Sequence, residues 1–135
     1  MCPDCQTRMV VFELEGVEID RCMSCGGTWL DAGELETILQ LAGADPQEFY
    51  RNFEASTKTP REGRRRCVRC PKKLEGVTIM GENPVELDRC PLGHGFWFDK
   101  EEIERVVSRF AKKENAVVAR FFSELYRHEL RKEGA

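Results

Sequence analysis

The sequence predicts a small α+β protein built from two tandem cysteine-rich units, each consisting of a β-hairpin followed by α-helices. Three observations lead to this fold class. The stretch CMSCGGTWLD, which begins at Cys22, returns in altered form as CPLGHGFWFD from Cys90. A CxxC pair precedes each stretch. Between each pair and its stretch, apolar residues alternate with polar ones, which is the period of a β-strand.

The first unit, residues 1–56, begins with Cys2 and Cys5, whose spacing is typical of a knuckle that directs two thiolates to one point. Apolar residues at alternate positions on both sides of Glu15-Gly16 predict a hairpin that returns the chain to the second cysteine pair. These residues are Val10, Phe12 and Leu14 before the turn, and Val17 and Ile19 after it. After that pair, Gly26 and Gly27 allow a turn with positive φ.

Two short helices are predicted to complete the first unit. Asp31 is a suitable N-cap, and Glu34 three residues later completes a capping box. One apolar face follows at helical spacing, formed by Leu35, Ile38, Leu39 and Ala42. Asp45-Pro46 predicts a second helix, because aspartate caps well and proline suits the first helical position. The inner face of that helix is predicted to hold Phe49, Tyr50 and Phe53.

The two units are predicted to be joined by a basic linker, residues 57–66, which we expect to be exposed and mobile because it contains no apolar residue. Residues 67–135 repeat the hairpin with a longer turn at 81–84 and end in a long C-terminal helical segment. Asp99 and Glu102 repeat the capping pair. The apolar pattern continues to Leu125, so two helices there are either fused or kinked. Their apolar face either closes the core between the units, which we favour, or forms a dimer seam.

Eight side chains are candidate metal ligands, four in each unit. Gly93 stands where Cys25 would be repeated, but His94 follows one position later and its longer side chain can reach the same metal. Zinc in structural sites takes four tetrahedral nitrogen or sulfur ligands. We therefore predict two Zn²⁺ ions per chain, the first bound by Cys2, Cys5, Cys22 and Cys25, and the second by Cys67, Cys70, Cys90 and His94.

The pattern CPxC, then a hairpin, then CxxCGGxWLDxGEL resembles the bacterial zinc ribbons of the transcription-factor-IIB type. The resemblance is complete over residues 2–39 and weaker over 67–103. It implies zinc and a ribbon fold, so the fold class becomes a small metal-bound α+β protein with two tandem zinc ribbons, each a β-hairpin plus two zinc knuckles. It does not imply transcription initiation, because a fold does not determine a function.

Composition and charge restrict the remaining choices. No apolar run approaches the ~20 residues of a membrane span, and the N-terminus lacks the apolar core of a signal peptide. Seven cysteines are an odd number, which favours metal binding in a reducing cytoplasm over a disulfide framework. The net charge is −3, yet residues 58–73 hold eight basic residues and one acidic residue. The sequence thus predicts a basic centre in an acidic protein.

The function predicted first is that of a non-enzymatic adaptor or regulatory module that recruits an unidentified protein partner. The alternative is a nucleic-acid-binding, transcription-related regulator. Its candidate phosphate or partner contacts are Arg64, Arg65, Arg66, Arg69, Lys72 and Lys73. An enzyme is disfavoured, because the sequence has no Ser/His/Asp set or phosphate-binding glycine loop, and every CxxC pair is assigned to a metal. The oligomeric state stays open at this point.

Overall fold

The computed structural model describes residues 1–55, 65–81, 84–99 and 102–110, together with Arg120 and Ser123. The strands in these residues are β1 (Val10–Leu14), β2 (Val17–Arg21), β3 (Thr28–Asp31), β4 (Phe53–Ala55), β5 (Glu75–Ile79), β6 (Val85–Arg89) and β7 (Gly95–Phe98). The helices are α1 (Ala32–Leu41), α2 (Pro46–Arg51) and α3 (Glu102–Phe110). The strands form one antiparallel sheet in the order β1-β2-β3-β7-β6-β5-β4, which confirms the α+β class.

Both predicted hairpins form. β1 and β2 are joined by a two-residue turn in which Glu15 and Gly16 have φ values of 52° and 81°. Such left-handed turns match the twist of the flanking strands. β5 and β6 pair from Glu75 opposite Arg89 to Ile79 opposite Val85. Each hairpin is extended by a third strand that follows the second ligand pair, β3 in the first unit and β7 in the second.

The two units meet through β3 and β7, a strand pairing that was not predicted from the sequence. Trp29 lies opposite Trp97 in this antiparallel pair. These two residues are also equivalent in the sequence repeat. Because a residue that pairs with its own counterpart must lie on a two-fold axis, a pseudo-two-fold axis passes through the Trp29–Trp97 pair. The two ribbons therefore share one continuous sheet.

Two glycines make the approach of the units possible. A Cβ atom on Gly27 would lie 2.1 Å from Cζ2 of Trp97, and one on Gly95 would lie 2.3 Å from the carbonyl oxygen of Leu30. Gly26 has the positive φ predicted for the turn, at 77°. Gly27 has a different role, because it leaves room for the tryptophan of the opposite unit.

The apolar core lies on the face of the sheet that the helices cover. Phe49 of α2 is at its centre and makes edge-to-face contacts with Tyr50, Phe53, Phe96 and Phe110, at centroid distances of 4.7 to 6.0 Å. Aromatic pairs in such geometry add stability beyond the area they bury. The prediction that Phe53 belongs to the second helix is wrong: α2 ends at Arg51, and Phe53 begins β4, which pairs with β5 of the second unit.

The predicted caps are present at all three helices. The backbone N–H of Asp31 donates to Glu34 Oε1 at 3.0 Å, and that of Asp99 donates to Glu102 Oε1 at 2.7 Å. Asp45 accepts from the backbone N–H of Gln47 at 2.9 Å. These bonds satisfy N–H groups that a helix start leaves without intrahelical partners.

The predictions for the C-terminal helical segment fall largely outside the described residues, including whether its helices are fused or kinked and what its apolar face covers. Arg120 is described and helical, and its Nε lies 3.1 Å from Oε1 of Glu15 in the β1–β2 turn.

The close approach at Gly27 leads to a first prediction. Gly27→Ala should destabilise the zinc-loaded protein by about 1–3 kcal/mol, because the new methyl group overlaps the Trp97 ring. The matched control is Gly33→Ala in α1, where a Cβ meets nothing within 4 Å and should stabilise the helix by at most about 1 kcal/mol. Denaturant unfolding followed by tryptophan fluorescence measures both. Equal stabilities of the two variants would contradict the packing described for Trp97.

Glu102 leads to a second prediction. Burial, aided by the carboxylates of Asp99 and Asp88, raises the pKa of Glu102 to about 7, although the N–H of Asp99 acts in the opposite direction. An unfolded glutamate has a pKa near 4.3, so the folded state holds this proton more tightly, and its contribution to stability falls as the pH rises through about 7. Glu102→Gln removes this contribution and keeps an oxygen that can accept from Asp99.

We therefore expect the free energy of unfolding to depend less on pH in Glu102→Gln than in the wild-type protein between about pH 5 and 7, and to be higher above about pH 7. Glu18→Gln, at an exposed position on β2, serves as the control. Parallel pH profiles for wild-type protein and Glu102→Gln would show that Glu102 is ionised in the folded state throughout this range.

Candidate metal centres

The first predicted ligand set is brought together in the structure. The sulfur atoms of Cys2, Cys5, Cys22 and Cys25 all lie within 4.8 Å of one another. Sγ of Cys2 is 3.8 Å from Sγ of Cys25. A tetrahedral zinc site with Zn–S bonds of about 2.3 Å has S···S edges of about 3.8 Å. The four sulfurs therefore fit a tetrahedral zinc ion.

The second predicted ligand set is also brought together, with the histidine included. The ligand atoms of Cys67, Cys70, Cys90 and His94 lie within 4.8 Å of one another. Nδ1 of His94 is 3.3 Å from Sγ of Cys90 and 3.9 Å from Sγ of Cys67. Sγ of Cys70 is 3.7 Å from Sγ of Cys90. The imidazole thus presents Nδ1 as the fourth ligand atom, and it is the one exposed member of either set.

A change of turn explains why the fourth ligand moves by one position. In the first unit the N–H of Gly26 donates to the carbonyl of Cys22, and Gly26 has a φ of 77°. In the second unit the N–H of Gly93 donates to the carbonyl of Cys90, and Gly93 has a φ of 83°. The turn closes one residue earlier there, so the ligand position falls after the left-handed glycine instead of before it.

Backbone N–H groups surround the sulfurs. Asp4 and Cys5 donate to Sγ of Cys2 at 3.4 and 3.3 Å, and Arg69 donates to Sγ of Cys67 at 3.2 Å. Similar bonds reach Cys25 from Gly27 and Cys90 from Leu92, both at 3.4 Å. Hydrogen bonds to a charged group favour its charged form. The knuckles therefore stabilise thiolates, the form that binds a metal.

The thiol pKa values differ within each set. Burial raises the pKa of Cys2 and of Cys67 to about 11. Burial also acts to raise the pKa of Cys22, but the backbone N–H of Cys25 and the hydroxyl of Thr7 outweigh it and lower that pKa to about 6. In the second set the pKa of Cys90 is lowered to about 7 despite burial, chiefly by backbone N–H groups. A cation that binds either set must therefore displace the proton that burial holds on Cys2 or Cys67.

Each knuckle is connected to the opposite unit by one arginine. Arg69, between Cys67 and Cys70, donates through Nε to Asp31 Oδ1 at 2.9 Å and also pairs with Asp20. Arg65 is only 6% exposed and binds Asp4 of the first knuckle through two parallel bonds of 2.6 and 2.7 Å. The same guanidinium reaches two carboxylates of the second unit, Asp88 and, at 2.8 Å, Asp99.

These contacts follow the two-fold axis. Asp4 and Arg69 occupy equivalent positions in the two knuckles, and the pair Asp20 and Asp31 is equivalent to Asp88 and Asp99. Arg69 binds the opposite aspartate pair directly. Asp4 is negatively charged and would be repelled by the opposite aspartates, so Arg65 bridges Asp4 to Asp88 and Asp99. The repeated aspartates were visible in the sequence, but their partners were not, because the pairing depends on how the units meet.

The predicted phosphate contacts are corrected by this geometry. Arg65 does not belong to an exposed linker: it is buried among three carboxylates, and its pKa is held above its ordinary value by them although burial opposes this. Arg69 is held by two carboxylates, with a side chain that is 42% exposed. Arg66, Lys72 and Lys73 are exposed as predicted. Arg64 lies outside the described residues.

The central tryptophans lie on the knuckle side of the sheet, packed among the buried cysteines. Nε1 of Trp29 donates to Asp31 Oδ1 at 2.8 Å. Within the described residues, the equivalent nitrogen of Trp97 has no acceptor. Asp99, the counterpart of Asp31, is bound to Arg65 and does not accept from Trp97. Trp29 thus does not cover the apolar face of the hairpin, and Leu30, the next residue of β3, faces the core on the other side of the sheet.

The contacts of Arg69 lead to a third prediction. Arg69→Gln should bind two zinc ions when zinc is in excess, since the ligands are unchanged, but zinc transfer from the first site to a chromogenic chelator should accelerate severalfold. The reason is that Arg69 holds two aspartates on either side of the second ligand pair. Asp20 lies two residues before Cys22, and Asp31 is the N-cap of α1. Arg66→Gln is the control, because among the described residues the Arg66 guanidinium donates only to the carbonyl of Pro71. Indistinguishable release kinetics in the two variants would contradict a link between the knuckles.

None of the helices in the described part of the chain has the length and apolar character needed to cross a membrane.

Comparison with known proteins agrees with this geometry. No curated protein and no solved structure matches the chain. Residues 1–41 match the family model described as a transcription factor zinc-finger. Residues 1–41 are therefore similar to the zinc ribbon of that family, and the set formed by Cys67, Cys70, Cys90 and His94 fits a duplicate of that ribbon.

Proposed function

We propose that the protein is a non-enzymatic zinc-binding adaptor, in which two ribbons joined into one sheet present a surface to a protein partner. The observation that carries this proposal is the internal use of the basic residues. Arg65 and Arg69 are bound to aspartates of the protein itself, so they have little charge to offer a polyanion. This favours a protein partner over nucleic acid.

The ligand sets support a structural role for the metal. A catalytic zinc ion keeps one coordination position for water or substrate, whereas a structural zinc ion is enclosed by four protein ligands. Each unit supplies four ligand atoms within 4.8 Å of one another. We propose the cytoplasm as the location, because the seven cysteines act as ligands only while they are reduced.

A nucleic-acid-binding regulator is the second candidate, and two observations favour it. The matching family model carries the description of a transcription factor zinc-finger. Arg66, Lys72 and Lys73 are exposed on the second unit. The net charge of −3 opposes tight binding to phosphates. The number of cations available is also smaller than the six that the sequence suggested.

The two functions are separated by affinity purification and by salt dependence, which form the fourth prediction. Tagged, zinc-loaded protein should retain a protein partner from native lysate, and nuclease treatment should leave that partner in place. Binding to DNA or RNA at about 150 mM salt should be weak or absent. A partner that disappears with nuclease would support the second candidate and contradict the adaptor.

The variant for this test follows from the structure. Replacing Arg66, Lys72 and Lys73 by alanine removes exposed cations, whereas replacing Arg65 would break a buried network. If phosphates are contacted, the log–log salt slope of the triple variant should fall by about three. Arg51→Ala and Arg105→Ala, at exposed positions on α2 and α3, provide the control.

A further inference from the structure

A cavity of about 300 Å³ lies where the tip of the second ribbon meets the helices of the first unit. Ala32 of α1 and Tyr50 of α2 line one side, and Phe96 of β7 and the tip loop of residues 90–95 line the other. The ion pair between Glu75 and Arg89 also lines the cavity, and both side chains are partly exposed, at 46% and 39%. The cavity is therefore open to solvent and is lined by both apolar side chains and a charged pair.

The walls of this cavity are fixed by one contact between the two units and one within the first unit. The backbone N–H of Ala32 donates to the carbonyl of His94 at 3.1 Å, which holds the tip loop against the start of α1. The hydroxyl of Tyr50 donates to Oε1 of Glu36 at 3.1 Å and fixes the ring. Gly93 and Gly95 contribute no side chains, so the loop leaves the space open. A preformed cavity loses less entropy on binding than one that must be assembled.

The surface beside the cavity has an unusual character for this protein. Leu92 is 61% exposed, and it stands between Pro91 and Gly93, which both line the cavity. Lys73 is two residues from Glu75, a separation that spans at most about 7 Å. Its neighbour Lys72 is exposed, and so is Arg66, which forms a β-bridge with Lys73. An exposed leucine and three exposed cations thus lie near residues that line the cavity.

We propose that this surface, which we call the tip surface, binds a short acidic segment of a protein partner and takes one bulky apolar side chain of that segment into the cavity. It comprises the cavity, Leu92, Arg66, Lys72 and Lys73. The proposal rests on the adaptor function proposed above and names the chemistry of the partner. Tyr50 and Phe96, whose rings are 6.4 Å apart, supply aromatic groups to the cavity wall that can contact the incoming side chain.

The charges of the tip surface match carboxylates of the partner. Arg89 donates to Glu75 through Nε at 2.8 Å, and within the described residues its Nη groups have no acceptor. A planar guanidinium that is already oriented binds a carboxylate well. Nucleic acid is the less suitable occupant, since phosphate contacts make no use of the apolar side chains of Ala32, Pro91 and Phe96.

Fluorescence anisotropy with labelled peptides tests the proposal on the zinc-loaded full chain. The probes are ten-residue peptides of Asp and Glu with one central Phe, Leu, Trp or Tyr. An otherwise identical peptide has Ala at the centre, and a single-stranded oligonucleotide carries the same charge. The best peptide should bind at least about tenfold more tightly than the Ala peptide, which is what burial of one large apolar side chain provides. Amide chemical shifts should change at Ala32, Tyr50, Gly93 and Phe96.

Matched variants locate the binding site. Leu92→Asp and the double variant Lys72→Glu/Lys73→Glu should each weaken peptide binding about tenfold or more. Val11→Asp is the control for Leu92, since Val11 is 59% exposed on β1 at the far edge of the sheet. Arg105→Glu, at an exposed position on α3, is the control for the lysines. Both controls should bind like the wild-type protein.

Three results would overturn the proposal. The Ala peptide could bind as well as the others, which would remove the cavity from the interaction. The oligonucleotide could bind instead and depend on the lysines but not on Leu92. The third result is that none of the peptides binds at millimolar concentration. Capture from lysate then distinguishes failure of the tip surface from failure of the adaptor function. A partner that Leu92→Asp and Lys72→Glu/Lys73→Glu retain as well as the wild-type protein rejects only the tip surface. The absence of any partner rejects the adaptor function.

Discussion

The buried guanidinium of Arg65 is the constraint on which the arrangement of the two ribbons depends. It is 6% exposed and contacts carboxylates from both units, Asp4 on one side and Asp88 and Asp99 on the other. A charge that is removed from water is tolerated only when partners replace its hydration, and removing one partner leaves an uncompensated charge. Neither unit supplies all three carboxylates, so the network is satisfied only when the ribbons are paired as described.

The asymmetry of this network distinguishes the observed pair of unlike ribbons from a pair of two first ribbons. A pair of identical ribbons would place the same residue of each knuckle against the same aspartates. Here one knuckle carries Arg69, which is attracted to the opposite aspartates, and the other carries Asp4, which they repel unless Arg65 intervenes. Two first ribbons would therefore bring Asp4 against Asp20 and Asp31. The charges therefore disfavour the pairing of two first ribbons.

The sequence predicted what depends on local spacing and missed what depends on the meeting of the units. Hairpins, caps and ligand sets follow from residues close in the chain, and even the substitution of His94 for cysteine could be inferred from one vacancy in a repeat. The pairing of β3 with β7 could not, because strand partners distant in sequence leave no periodic signal. Gly27 was assigned to a turn and Arg65 to a linker, since the feature that determines each one, Trp97 or Asp4, belongs to the other unit.

The division of the sheet into two faces determines where a partner can bind. The helices cover one face with an apolar core, and the knuckles, the tryptophans and the arginine network cover the centre of the other. Metal and charge thus stabilise the knuckle side, where an apolar core would be too small alone. Since His94 is the exposed ligand and lies next to Gly93 in the cavity wall, the tip of the second ribbon is where this framework meets solvent. A partner bound there would contact both ribbons at once, so its binding would depend on the folded, metal-loaded pair.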